Sequence, residues 1–179
     1  MHTLSVRRHL CAFVLAAFVS PAVFAHGTEQ HKATQVTPGR DASQAQLQIS
    51  PGARDAVAAV ERFASALSAG DVEKAGVELD ASVLILESGG AEYGRETYLG
   101  GHAKSDASFL KGARLSLKRR TAESVGDLAW VASESEIHAM KGEEMLMISS
   151  TETMVLRKTG DAWKIVHIHW SSRRAGRTH

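Results

Sequence analysis

The sequence predicts an α+β domain: helices come first and a long antiparallel meander comes last. Three observations predict it. Apolar residues recur at helical spacing in the first half of the domain. After Gly112 the period changes to that of strands. The dipeptides Gly126-Asp127, Lys141-Gly142 and Thr159-Gly160 then cut the remainder into four runs, 113–125, 128–140, 143–158 and 162–172. Hairpin turns make neighbouring runs antiparallel, and runs this long must twist and bend. A bent sheet wrapped on one helix creates a concave cavity.

Each element has a local reason. Ser50-Pro51 pairs an N-cap with Pro at the first helical position. Val57, Val60, Phe63, Ala64 and Leu67 then mark one helical face. Gly70 ends that helix, and Asp71 caps a second, short one reaching about Leu79. Val83-Leu84-Ile85-Leu86 reads as a buried strand, Ser88-Gly89-Gly90 as a turn, and Glu92-Tyr93 as a brief return strand. Gly94 to Lys111 reads as a helix interrupted at Gly100-Gly101.

Residues 1–25 have the pattern of a secretory signal peptide. Arg7-Arg8 form a positive start, Leu10 to Val19 an apolar run too short to span a bilayer, and Val23-Phe24-Ala25 a cleavage site. Cleavage after Ala25 and a periplasmic or secreted location are expected. Cleavage removes two Arg and no acid, so the net charge falls from +1 to −1. It also removes Cys11, the one cysteine, which excludes a disulfide scaffold and a cysteine-based zinc site. Residues 26–49 are polar and aperiodic and read as a flexible tether, residues 50–173 as the domain, and residues 174–179 as a basic tail.

The near-zero charge argues against a scaffold for nucleic acid. Lys118-Arg119-Arg120 and the cluster Arg173, Arg174 and Arg177 lack interleaved aromatics and read as solvated charge. No later segment is apolar enough to span a membrane, and no motif calls for a cofactor. A small-molecule ligand is the expected partner.

The ending Ala162-Trp163-Lys164-Ile165-Val166-His167-Ile168-His169-Trp170-Ser171-Ser172, preceded by Glu152-Thr153 and Val155, resembles the NTF2-like superfamily. Its SnoaL-like and DUF4440-type branches are the nearest, and the last two strands also resemble the association domain of calcium/calmodulin-dependent kinase II. The resemblance covers roughly residues 50 to 173. It implies a cone with a pocket at the wide end and a homodimer formed through the other sheet face. The superfamily includes isomerases, dehydratases, transport factors and assembly domains, so the fold alone does not choose an activity. The kinase domain has basic residues on three strands of its pocket. The matching positions here are Ala132, Met154 and Trp170, all uncharged, which implies an apolar, aromatic-lined site.

Uninterrupted alternation assigns the faces. It groups Lys164, Val166, Ile168 and Trp170 on the last strand, and Glu152, Met154 and Leu156 on the strand before, and the resemblance turns these sets toward the pocket. Trp130, Ala132, Glu134, Glu136 and His138 face it from the strand before that. A bulge would invert everything beyond it. Tyr93, Tyr98 and His102 stand on the segment at the pocket mouth. The expected ligand-binding set is therefore Trp130, Ala132, Glu134, Met154, Ile168, Trp170, Tyr93, Tyr98 and His102. A non-catalytic binding role is expected. In an enzyme, a lyase or isomerase, Glu134 and His102 are the candidate catalytic groups, because a carboxylate on an apolar face has a raised pKa. The bland alternative has Trp130, Met154 and Trp170 as packing, and Glu134, Tyr98 and His102 at the wet surface. No metal site is expected within the domain. The alternatives are copper or zinc at His26 and His31, or at His167 and His169, the latter pair pointing away from the pocket.

Overall fold

The computed structural model describes residues 44–175. The signal segment, His26 and His31 lie outside them. Among the described residues no helix is long and apolar enough to cross a membrane.

The chain opens with β1 (Gln46–Ile49), which runs parallel to β4 (Arg114–Val125) at the sheet edge. These four residues correct the tether reading, which extended to residue 49. Gln46-Leu47-Gln48-Ile49 alternates polar and apolar, but over only four residues, and the strand adds to a sheet edge and stays mostly exposed. A 3-10 turn at Pro51–Ala53 leads into α1 (Arg54–Ala69). Helix α1 buries Val57, Val60, Phe63 and Leu67. Gly70 ends it at φ 81°, a conformation that costs an L-residue about 1–2 kcal/mol. Gly70→Ala is accordingly expected to lower unfolding free energy by that amount in urea titrations. Asp71 caps α2 (Val72–Glu78), its carboxylate accepting from the Lys74 N–H at 3.0 Å. Arg62 of α1 holds Glu78 of α2 through two hydrogen bonds of 2.7 and 2.9 Å, which ties the two helices together.

The strand pair β2 (Leu79–Glu87) and β3 (Gly90–Tyr93) follows, then α3 (Arg95–Gly100) and α4 (His102–Leu110). The break at Gly100-Gly101 falls where the sequence interrupts its helical pattern. The meander is β4, β5 (Leu128–Lys141), β6 (Glu144–Thr159) and β7 (Ala162–Arg174). Arg174, assigned above to a tail, is the last residue of β7, and its guanidinium lies 3.6 Å from Glu144. All seven strands form one sheet in the order β1-β4-β5-β6-β7-β2-β3. Strand β2 is parallel to β7, and the α3–α4 segment packs beside α1.

The sheet has a helix-facing side and an outer side. Val60, Phe63, Ile85, Ala122, Val131, Met154, Leu156, Ile165 and Ile168 form one core between α1 and the helix-facing side. Two face assignments change. A bulge at Val166 pairs Leu156 with Ile165 but Val155 with His167. Trp163 and Ile165 before it, and Ile168 and Trp170 after it, therefore share the helix-facing side. Lys164 and Val166 are turned outward, and Lys164 Nζ donates to the Val77 carbonyl. On β5 the whole parity is opposite to the expected one. Ala129, Val131 and Ser133 face the helix and are buried, while Trp130 is 40% exposed on the outer side. Helix α1 crosses this strand, and small residues such as Ala122 and Ala129 make room for it where an indole would not fit.

Candidate functional site

Cross-strand register builds the helix-facing surface in rows. The deepest row is Ala122, Val131, Met154, Ile168 and Ile85 on β4, β5, β6, β7 and β2, all buried and apolar. The next row is Arg120, Ser133, Glu152, Trp170 and Glu87. Beyond a bulge at Lys118 comes Leu117, Ser135, Ser150 and Ser172. An apolar floor thus gives way to a row with ionisable side chains and then to serines. The middle row spans five strands, about 19 Å at the usual strand spacing.

Trp170 is the one aromatic residue of that row. Its ring stacks on Phe63 at 6.3 Å and 18°, and lies 6.2 Å from the tilted ring of Tyr98. Its indole N–H donates to Glu152 Oε2 at 2.8 Å. Glu152 is partly buried as a residue, but its carboxyl is withdrawn from water. Burial pushes its pKa up, against the Trp170 hydrogen bond, the Arg120 charge and Ser133. Arg120 is itself buried. It donates to Ser133 Oγ at 3.2 Å and to Glu61 Oε1 of α1 at 2.9 Å. The solvated-charge reading of Arg120 is thereby corrected: its side chain follows Ala122 inward by strand alternation and meets Glu61.

A second polar group closes the other side. Tyr98 is fully buried, and its hydroxyl donates to Asp106 Oδ2 at 3.0 Å. Burial raises the pKa of Asp106, opposed by the Tyr98 hydrogen bond and by His102. Burial also raises Glu87, helped by the charges of Asp106 and Glu92 and opposed by His102. Tyr98 is raised well above the ordinary phenol range by burial and by the Asp106 charge. Glu92 Oε1 lies 2.9 Å from His102 Nδ1. Three inward carboxyls, Glu87, Asp106 and Glu152, therefore hold protons more tightly than usual.

Of the residues expected at the site, Met154, Ile168, Trp170 and Tyr98 lie on the helix-facing side, Met154, Ile168 and Tyr98 as buried packing. His102, the first residue of α4, pairs with Glu92 of β3, and Tyr93 is 75% exposed. Trp130, Ala132 and Glu134 do not line the cone. Their strand presents Ala129, Val131 and Ser133 instead, and Glu134 is exposed with its carboxylate 3.5 Å from Arg119. Ala132 is thus not the inward position on β5, so the residue-by-residue match to the kinase domain slips there. Two surface grooves, of about 340 and 210 Å³, run along Glu134 and Thr151. They are lined by charged and hydroxyl side chains such as Lys118, Arg119, Glu136 and Thr153.

His167 and His169 share the outer side. His167 Nδ1 is 2.9 Å from the Leu84 carbonyl, and His169 is exposed. Among the described residues no three His, Cys, Asp or Glu side chains could share a metal ion. The site residues that sequence reasoning missed are Arg120, Ser133, Glu87 and Asp106. Glu152 was grouped with Met154 and Leu156 but left out of the expected binding set. Asp106 had a signal, one helical turn beyond His102 and on the same face.

The family model of the SnoaL-like domain matches residues 56–174. The chain belongs to that family, within the NTF2-like fold. A crystal structure of a candidate ketosteroid isomerase from Shewanella frigidimarina is similar at 32% identity, with a TM-score of 0.63. The match covers 69% of this chain and 99% of that one. A candidate dehydratase of the NTF2-like family from Streptomyces avermitilis matches at 23% identity and TM-score 0.60, over 69% and 97% of the two chains. A candidate calcium/calmodulin-dependent kinase II association domain from Xanthomonas campestris shares the fold at 17% identity and TM-score 0.61, over 73% and 96%. No curated protein matches the chain.

Proposed function

We propose that this SnoaL-like domain binds a small, largely uncharged hydrophobic or aromatic molecule at the wide end of its cone, against Trp170. The carrying observation is the middle row of the sheet. It offers an aromatic platform on an apolar floor, flanked by three carboxyls whose pKa burial raises. Its one cation, Arg120, is already matched by Glu61. Such a surface hydrogen-bonds neutral hydroxyl or carbonyl groups and repels carboxylates. The reading includes export to the periplasm and pairing of two copies through the outer side of the sheet.

The test compares neutral bicyclic phenols with carboxylates of the same skeleton, titrated against protein fluorescence. The phenol is expected to bind at least tenfold more tightly. Trp170→Phe, which keeps the ring stack but loses the N–H that orients Glu152, is expected to weaken it about 3–10-fold, the range of one hydrogen bond. Tighter carboxylate binding, or an unchanged affinity in both Trp170→Phe and Trp170→Ala, overturns the reading.

A second reading rests on the Tyr98–Asp106 hydrogen bond, 3.0 Å long and buried at the mouth. A phenol paired with a carboxyl of raised pKa can hold or pass a proton, as an isomerase or dehydratase requires. The acid/base group is then Asp106, not the exposed Glu134. Under this reading Asp106→Asn retains ligand and loses turnover by orders of magnitude.

A further inference from the structure

The far end of the β5–β6 hairpin carries a set of side chains that the cone does not use. Met140, Met145 and Met147 are three of the protein's five methionines. Met140 pairs directly across the hairpin with Met145, and His138 with Met147. Residues two apart on a strand share a face, so all four stand on one side of two strands. The other side already buries Ile137, Ala139 and Leu146. The three methionines are instead 59%, 63% and 44% exposed. Directly opposed Cβ atoms lie about 4.5–5.5 Å apart, and a thioether on three rotatable bonds can swing across that gap.

His138 is held for the same task. Its Nε2 is hydrogen-bonded to Glu136, whose other oxygen lies 3.3 Å from Lys118 Nζ. That leaves Nδ1 as the ring nitrogen able to ligate. A carboxylate fixing one imidazole nitrogen is the arrangement that orients a metal-binding histidine.

We infer that His138, Met140, Met145 and Met147 form a site for a soft monovalent cation, Cu(I) or Ag(I). Three thioethers and one imidazole make a neutral, soft donor set, which selects Cu(I) over the harder divalent ions. Zinc takes thiolate, imidazole or carboxylate ligands, and only one of these is present in the set. Arg114 pairs with His138 on its other side, and a nearby guanidinium further penalises a divalent guest. The site is separate from the cone.

The test uses the full chain labelled with 13C at the methionine methyl groups. Silver nitrate serves as a redox-inert probe, and anaerobic Cu(I) is titrated against a chromophoric Cu(I) chelator. The expected result is one equivalent bound with the methyl signals of Met140, Met145 and Met147 shifted. The methyl of Met154, fully buried in the core, stays in place. The near-isosteric variant M140L/M145L/M147L is expected to keep its melting temperature and lose that equivalent, with affinity down at least 100-fold. His138→Gln is expected to weaken binding at least tenfold. Unmoved methyl signals in the wild-type chain, or a triple variant that retains every bound equivalent, overturn the inference.

Discussion

Phe63→Ala is expected to lower the unfolding free energy by about 3–5 kcal/mol, the usual cost of deleting a buried aromatic ring. Phe63 is 1% exposed on α1, and its ring stacks on Trp170. Removing it leaves a void under the floor of the cone and takes away the support of the indole. Urea unfolding should show a lower midpoint with an unchanged slope. The matched control is Trp130→Ala, on the outer side of β5 at 40% exposure. It is expected to cost less than half as much, because a half-exposed ring leaves no closed cavity. Equal costs would mean that β5 presents Trp130 to the helix after all.

The second large effect is a dependence of stability on pH that two conservative substitutions remove. Glu152 and Asp106 have raised pKa values in the fold because burial disfavours their charged forms. The folded protein therefore holds more protons than the unfolded chain between the ordinary carboxylate pKa and the raised one. Stability contributed by these groups is complete below the unfolded pKa and falls as pH rises toward the folded pKa. Each tenfold difference in proton affinity is worth about 1.4 kcal/mol. Gln at 152 and Asn at 106 can still accept the hydrogen bonds from Trp170 and Tyr98, but they do not ionise. The double variant E152Q/D106N is expected to match the wild type near pH 4 and to exceed it at pH 7.5. Melting curves across that range provide the check. A double variant less stable than the wild type at both ends would show that the charged carboxylates support the fold.

Much of the architecture was legible. Gly70, Asp71 and the Gly100-Gly101 break act through their own backbone or the next turn, and each lies where the sequence placed it. The hairpin turns at Gly126, Gly142 and Gly160 have positive φ, which is why glycine marks them in the sequence. The site was less legible. Met154 and Trp170 were found through the resemblance and Ile168 by its parity with Trp170, since the register runs regularly from Val155 and His167 onward. Glu134 was misplaced because alternation defines two faces without saying which one meets the helix. Trp130 looked like the inward residue by size, and size was the wrong guide where α1 lies close to the sheet.

The sequence by itself determined the order of the elements from α1 onward and the antiparallel meander. Those properties follow from periodicity and turn chemistry, which are local. Only the tertiary structure decided which side of β5 is covered, where the bulge at Val166 reverses β7, and how the inward carboxyls assemble. Glu87, Asp106 and Glu152 lie far apart along the chain, on β2, α4 and β6. Their shared burial comes from strand register and from the docking of the α3–α4 segment. A raised pKa is a property of that enclosure, and no residue carries it alone.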